Sequence, residues 1–241
     1  MKKIIILTGA SGNLGNAICS LLRQENYSSI VSIGRTKPEN VDIHINLDLC
    51  DLKSTTILKN AIISEVELNK YDQIDFIHVA GMYQQYKLPL NLEEEQAFLN
   101  FFQLHCNSFF LIINFLFDYW KQKKKGNIIA VSSNLVTRVK GNTLFYTATK
   151  GCLNIMVKQL ASDLGRIGIR CNAVAPGYFC DQHENKLIKS AEKIIMNTPL
   201  SRLATAQDIS KVIVMLLRND AYWITGEIIK VDGGNANEFG K

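Results

Sequence analysis

Apolar residues recur along the 241-residue chain in short runs: Ile4 to Leu7, Ile30 to Ile33, Val41 to Leu47, Ile74 to Val79, Ile128 to Val131, Ile169 to Ala175 and Glu227 to Val231. Runs of this length read as strands buried on both faces. Between them apolar positions fall at helical spacing over Leu14 to Leu22, Lys53 to Leu68, Leu92 to Trp120, Thr143 to Leu164 and Ala206 to Leu217. Strand and helix in strict rotation imply an α/β fold: a doubly wound parallel sheet of seven strands, right-handed crossovers and helices on both faces. With no internal repeat, low-complexity stretch or linker rich in Pro, Gly or Ser, residues 1–241 form one expected domain. The one long irregular connection, Pro176 to about Pro199 with a helix expected from Glu184 to Ile195, leaves the carboxyl end of a strand. Ligands bind there in such sheets, so about 178–203 is the expected substrate lid.

Composition narrows the class. Hydrophobic residues make up 47% and charged residues 20%, an ordinary globular balance. The net charge of +5 is mild and dispersed, which argues against nucleic acid. Its densest piece, Lys121 to Lys125 broken only by Gln122, reads as a solvated helix end. Six cysteines without a Cys-x-x-Cys pair suggest free thiols in a reducing compartment, and no metal site is expected. Ile4 to Leu7 is too short for a secretory signal. Phe98 to Trp120 is interrupted by Asn100, Gln103, His105, Asn107, Asn114 and Asp118, so no membrane span is expected and the location expected is cytoplasmic.

Candidate chemistry begins with Thr8 to Gly15, TGASGNLG, which joins the first strand to the first helix. Glycines there let backbone approach a pyrophosphate, and the amides and dipole of a helix N-terminus favour the anion. A Walker-type loop would need Gly-Lys-Ser/Thr, so the expectation is a dinucleotide in a Rossmann-type sheet. The second strand ends Gly34-Arg35-Thr36-Lys37, with two cations and no acid at its tip. That favours the 2′-phosphate of NADP(H), while Glu39 and Asp42 keep NAD(H) as the alternative. Asp48 after the third strand is placed to accept from an adenine amino group, and Asp51 to cap the helix that follows. Tyr146 and Lys150, four apart on one helix face, suggest proton transfer, with the lysine cation expected to lower the phenol pKa. Ser133 follows a central strand, where a hydroxyl would face the cofactor.

At this point the chain resembles the short-chain dehydrogenase/reductase family over nearly its whole length. The likeness rests on TGASGNLG, on HVAG at His78 to Gly81, on Asn107 in HCNSFF, on VSS ending at Ser133, on YTATKG from Tyr146, on NAVAPGYF from Asn172 and on ITGEIIKVDGG from Ile224. The resemblance implies a catalytic tetrad of Asn107, Ser133, Tyr146 and Lys150. In it Tyr146 protonates a carbonyl oxygen that Ser133 holds, Lys150 also binds the nicotinamide ribose, and Asn107 supports a water that relays protons to Lys150. It further implies cofactor contacts from Gly9, Ser11, Asn13, Leu14, Gly15, Arg35, Asp48, Leu49, Ala80, Gly81, Tyr146, Lys150, Pro176, Gly177 and Phe179. A homodimer or homotetramer through the helices of Asn107 and Tyr146 is implied as well. Asn13 stands where a glycine is usual in the compact branch, Gly12 where a basic residue is common, Val79 where the second of two asparagines is common, and Asp181 where a threonine usually binds the carboxamide. Asparagine tolerates left-handed backbone, so the loop is expected to form. The substrate expected is a small carbonyl or alcohol. A 3-oxoacyl thioester fits if Arg166 and Lys121 to Lys125 dock an acidic carrier; a sugar, polyol or other small ketone is the rival. A non-catalytic cofactor-sensing protein on the same fold is the alternative of another class.

Overall fold

The structure, a computed structural model, describes residues 1–180 and 188–236, without the side chains of residues 54–56 and 188–190. Seven parallel strands form one sheet: β1 (Lys3–Thr8), β2 (Ser29–Gly34), β3 (Ile43–Asn46), β4 (Gln73–His78), β5 (Gly126–Val131), β6 (Ile169–Pro176) and β7 (Ile228–Val231). Their order is β3-β2-β1-β4-β5-β6-β7. The chain builds outward from β1 through β2 and β3, then crosses back to place β4 on the other side of β1. A crevice therefore opens beyond the carboxyl ends of β1 and β4, where the winding reverses. The expected doubly wound α/β fold is the fold found.

Alternation along β1 explains why its run is continuous. Ile4 and Ile6 enter the layer covered by α2 (Leu52–Glu65), α4 (Ser108–Lys123) and α5 (Leu144–Gly165). Ile5 and Leu7 enter the opposite layer, under α1 (Asn13–Leu22) and α7 (Ala206–Leu217). With both faces covered, no position from Ile4 to Thr8 is left to face water.

The helix expected at Leu92 to Trp120 is an unbroken helical run with a wide turn inside it. α3 (Leu92–Phe102) passes through a π-type turn at Gln103–Asn107 into α4. By length and composition alone Leu92–Lys123 would suffice to cross a bilayer, yet half of its most apolar window is buried. Phe109, Ile112, Leu116 and Trp120 pack into the core, and the Trp120 indole donates to the Ile74 carbonyl at 2.8 Å. Its apolarity is thus used on the sheet. α3 itself begins with a reciprocal cap, in which Asn91 Oδ1 accepts from Glu94 N and Glu94 Oε2 from Asn91 N. Of the helix expected at Glu184 to Ile195, residues 184–187 lie outside the described residues, and α6 spans Ile188–Met196.

Candidate active site

A groove of about 620 Å³ lies beyond the carboxyl ends of the central strands. At its floor the β1–α1 loop is set by two glycines. Gly9 has φ +69°, and a Cβ there would lie 2.6 Å from Ala80 N; at Gly15 it would lie 2.2 Å from the Gly9 carbonyl oxygen. The loop thus lies flat against the strand-β4 loop, and α1 starts directly beneath it. No side chain caps α1 at Gly12, so its first amides are left for another acceptor. An uncapped helix N-terminus behind glycines that admit no Cβ suits a pyrophosphate. Ser11, Asn13 and Leu14 line this part of the groove. Asn13 is the first residue of α1 and has no left-handed angle. The tolerance expected of asparagine is therefore not called on; the positive φ belongs to Gly9.

At the far end the groove meets Arg35, Asp48 and Leu49. Arg35 is exposed, with its charge toward solvent and groove. Of the acids that kept NAD(H) open, Asp42 is turned to Arg23 at 2.9 Å and accepts Ile30 N at 2.7 Å. Neither Asp42 nor Glu39 lines the groove. Asp48 Oδ1 accepts Cys50 N at 2.9 Å, and Asp51 Oδ1 accepts Lys53 N at 3.0 Å in the capping role expected of it. On the opposite wall stand Ala80, Gly81, Pro176, Gly177 and Phe179. Phe179 forms a lone parallel bridge with Ala204, which pins the first residues of the expected lid. Asp181 lies outside the described residues.

Ser133, Tyr146 and Lys150 meet at the centre of the groove. Ser133 starts a short turn after β5, its hydroxyl accepting Leu135 N at 3.2 Å. Lys150 is 3% exposed, and its ammonium donates to the Val131 carbonyl at 2.7 Å and sits 6.0 Å from the Tyr146 ring centroid. Burial lowers the Lys150 pKa to about 8, against a smaller upward pull from Cys106. Burial raises the Tyr146 pKa; a hydrogen bond with the Ser133 hydroxyl opposes the rise and the nearby Tyr83 adds to it. The shift is thus opposite to the lowering expected from Lys150, because desolvation of the phenol outweighs what favours the phenolate. What results is a phenol that keeps its proton.

Asn107 is the site residue the structure places elsewhere. Its amide donates to Gln103 Oε1 at 2.6 Å, and it lines a second cavity of about 780 Å³ with Leu58, Lys59, Leu111 and Phe115, away from the groove. The side chain that faces Lys150 from the wide turn is His105, fully buried between Gly81 and Thr149. The sequence carried a signal for this. Phe101, His105, Phe109, Ile112, Leu116 and Trp120 repeat at three- and four-residue steps and are all buried, whereas Asn107 belongs with Gln103, Asn114 and Asp118 on the wetter face. Met82, Tyr83 and Cys50 also line the groove without having been singled out. The suggested docking charges lie at the wrong end: Lys121 to Lys125 close α4 before β5, and Arg166 closes α5 before β6, so both sit at the amino ends of the strands.

A glycine-set helix terminus at the reversal of winding, with a buried lysine and a phenol beside it, is the equipment of a dinucleotide-dependent oxidoreductase. Residues 16–236 match the family described as enoyl-(acyl carrier protein) reductase. The chain belongs to the short-chain dehydrogenase/reductase family, whose members use NAD(P) to interconvert alcohols and carbonyls. Among its relatives, the oxidoreductase YmfI of Bacillus subtilis is 29% identical, covering 97% of this chain and 99% of the relative. The 3-oxoacyl-(acyl-carrier-protein) reductase FabG of Buchnera aphidicola is 28% identical, covering 97% of each. The solved structure of a short chain dehydrogenase family protein from Francisella tularensis is 25% identical with a TM-score of 0.80, covering 99% of this chain and 100% of that one.

Proposed function

We propose that the protein is an NADP(H)-dependent carbonyl reductase with Tyr146 as the proton donor. The observation that carries the reading is the shared groove: the uncapped α1 terminus, Arg35 at one end, and Ser133, Tyr146 and Lys150 at the other. Bound there, a nicotinamide cofactor would supply the hydride. The chain's own residues do the rest. Burial keeps the Tyr146 phenol protonated, ready to give its proton to a carbonyl oxygen as charge builds there. Ser133, beside the phenol in the same groove, would hold the same oxygen and fix the direction of transfer. Lys150 keeps a positive charge within reach to steady the phenolate left behind. Arg35, at the end of the groove, would hold a 2′-phosphate, while Asp42, the acid that would favour the free hydroxyl, is engaged by Arg23.

The substrate class we propose is a 3-oxoacyl thioester. Support comes from the name of the FabG relative, and not from the charges at Arg166 and Lys121 to Lys125, which lie at the other end of the sheet. Tyr83, which stands edge-on to Tyr146 at 5.1 Å, lines the groove beside the phenol. The test follows NADPH absorbance with 3-oxoacyl thioesters, ketoses and small ketones, comparing wild type with Tyr146→Phe. Loss of the proton donor is expected to lower kcat on the thioester by about 10²–10⁴-fold. A Tyr146→Phe enzyme that turns over like wild type would remove the assigned donor, and turnover of ketoses alone would remove the thioester.

A further inference from the structure

His105 is the buried group beside the reacting side chains to which no role has yet been given. Its Nε2 lies 3.1 Å from Met82 N, in the loop after β4, and its Nδ1 lies 2.8 Å from the Thr149 hydroxyl, on α5 between Tyr146 and Lys150. Its ring stands edge-on to Tyr146 at 5.7 Å and to Phe101 at 5.6 Å. A Cβ added to Gly81 would lie 3.2 Å from Nε2 and 3.4 Å from Lys150 Nζ, so imidazole and ammonium flank the same piece of backbone.

These contacts fix the proton. A backbone N–H can only donate, so Nε2 carries the lone pair that accepts from Met82. The ring proton is then on Nδ1 and is donated to Thr149 Oγ1, whose own hydrogen goes to the Phe145 carbonyl at 2.8 Å. Both ring nitrogens are satisfied in a neutral ring. A second proton on Nε2 would oppose the Met82 N–H and put a cation beside Lys150. Lys150 from α5 and His78 from β4 are the ionisable groups acting on His105, together with Tyr146 and Cys106 as neutral neighbours. Burial first, then Lys150 and His78, hold the imidazole far below its ordinary range.

We propose that His105 is a positioning residue: a neutral imidazole, protonated on Nδ1, that ties the backbone at Met82 to the helical turn carrying Tyr146 and Lys150, and so sets the spacing between the loop wall and the phenol. This rests on the reading of Tyr146 as proton donor. The role needs an acceptor and a donor side by side in a flat group, which an amide also offers. Phenylalanine keeps the ring and its packing but leaves the Met82 N–H and the Thr149 hydroxyl without their partner.

The test compares wild type, His105→Phe and His105→Gln. Misplacing a reacting group by about 1 Å costs roughly 10²-fold, so His105→Phe is expected to lose about that factor in kcat, with NADPH affinity and KM changed by less than about threefold. His105→Gln is expected to recover most of the loss. Nitrogen-15 NMR of the wild-type imidazole, free of cofactor, is expected to show Nδ1 protonated and Nε2 as the lone-pair nitrogen, unchanged from roughly pH 5 to 9. Full kcat in His105→Phe, a glutamine variant no better than phenylalanine, or a proton on Nε2 would each overturn the proposal. Should His105→Phe fail to fold, the glutamine variant and the wild-type spectrum still decide it. A wild-type enzyme that reduces no carbonyl would sink the proposed function instead, a result the spectrum does not share.

Discussion

Replacing Lys150 with methionine tests whether this buried lysine, placed for chemistry, weakens the fold. Lys150 is 3% exposed, and burial brings its pKa from the ordinary 10.5 down to about 8. Between those values the unfolded chain holds a proton that the folded chain has released. Stability therefore rises with pH across that window, and the whole penalty is present below about pH 8. At about 1.4 kcal/mol per pKa unit, the penalty is about 3 kcal/mol. For a chain of this size that corresponds to roughly 6–12 °C in Tm. The thiols complicate a direct reading: Cys19, Cys106 and Cys171 are all raised by burial, and each makes stability fall with pH above the ordinary thiol value. The informative quantity is the difference between variant and wild type, in which Cys19 and Cys171 largely cancel; Cys106, which interacts with Lys150, is replaced by alanine in both proteins. Urea unfolding of both proteins, with reductant and without cofactor, is expected to give a stability difference that moves by about 3 kcal/mol against Lys150→Met between about pH 8 and 10.5. The methionine variant also leaves the Val131 carbonyl without its donor, an offset of about 1 kcal/mol that does not vary with pH. A difference that stays flat across the window would refute the reasoning, because the lysine would then be hydrated in the folded state.

Three further outcomes are expected. Arg35→Ala should weaken NADPH by about 10–100-fold, the worth of a charge-assisted contact of about 1.5–3 kcal/mol, with NADH nearly unaffected in the same fluorescence titration; equal losses would remove the 2′-phosphate assignment. Gly9→Ala should cost at least about 1–2 kcal/mol from its φ of +69° before the clash with Ala80 is counted, whereas Gly12→Ala, whose Cβ would lie 3.7 Å from the Gly9 carbonyl oxygen, should cost less than about 1 kcal/mol. Comparable thermal melts for the two would contradict the steric reading of the cradle. Tyr27→Phe removes a 2.6 Å bond to the fully buried Asp75, which also takes Gln73 Nε2 and Asn127 N. It should lower Tm by roughly 4–10 °C while leaving kcat alone, since that network lies at the amino end of β4.

The contrast between His105 and Asn107 shows how far one chain can be read. The seven strands were legible because burial on both faces leaves continuous apolar runs, and Ser133, Tyr146 and Lys150 because a strand end and a four-residue helical spacing coincide with the motifs of the resemblance. Direction along a helix is harder. His105 and Asn107 are two polar residues two positions apart in a largely apolar segment. A motif alone does not say which faces the groove; the stripe from Phe101 through Phe109 to Trp120 does, because it is the only face of that segment that can pack on the sheet. The direction of the Tyr146 shift was hidden for a related reason. A four-residue spacing sets Lys150 near Tyr146, but not whether the ammonium's hydrogen bonds go to the phenol or to a carbonyl, and here the Val131 carbonyl takes one. The protein alone keeps the phenol protonated, Lys150 near the edge of losing its charge and His105 neutral. Lys150 therefore stays charged near neutrality but loses its proton more readily than an ordinary lysine, and an anionic cofactor, by favouring the ammonium form, should return its pKa toward the ordinary value.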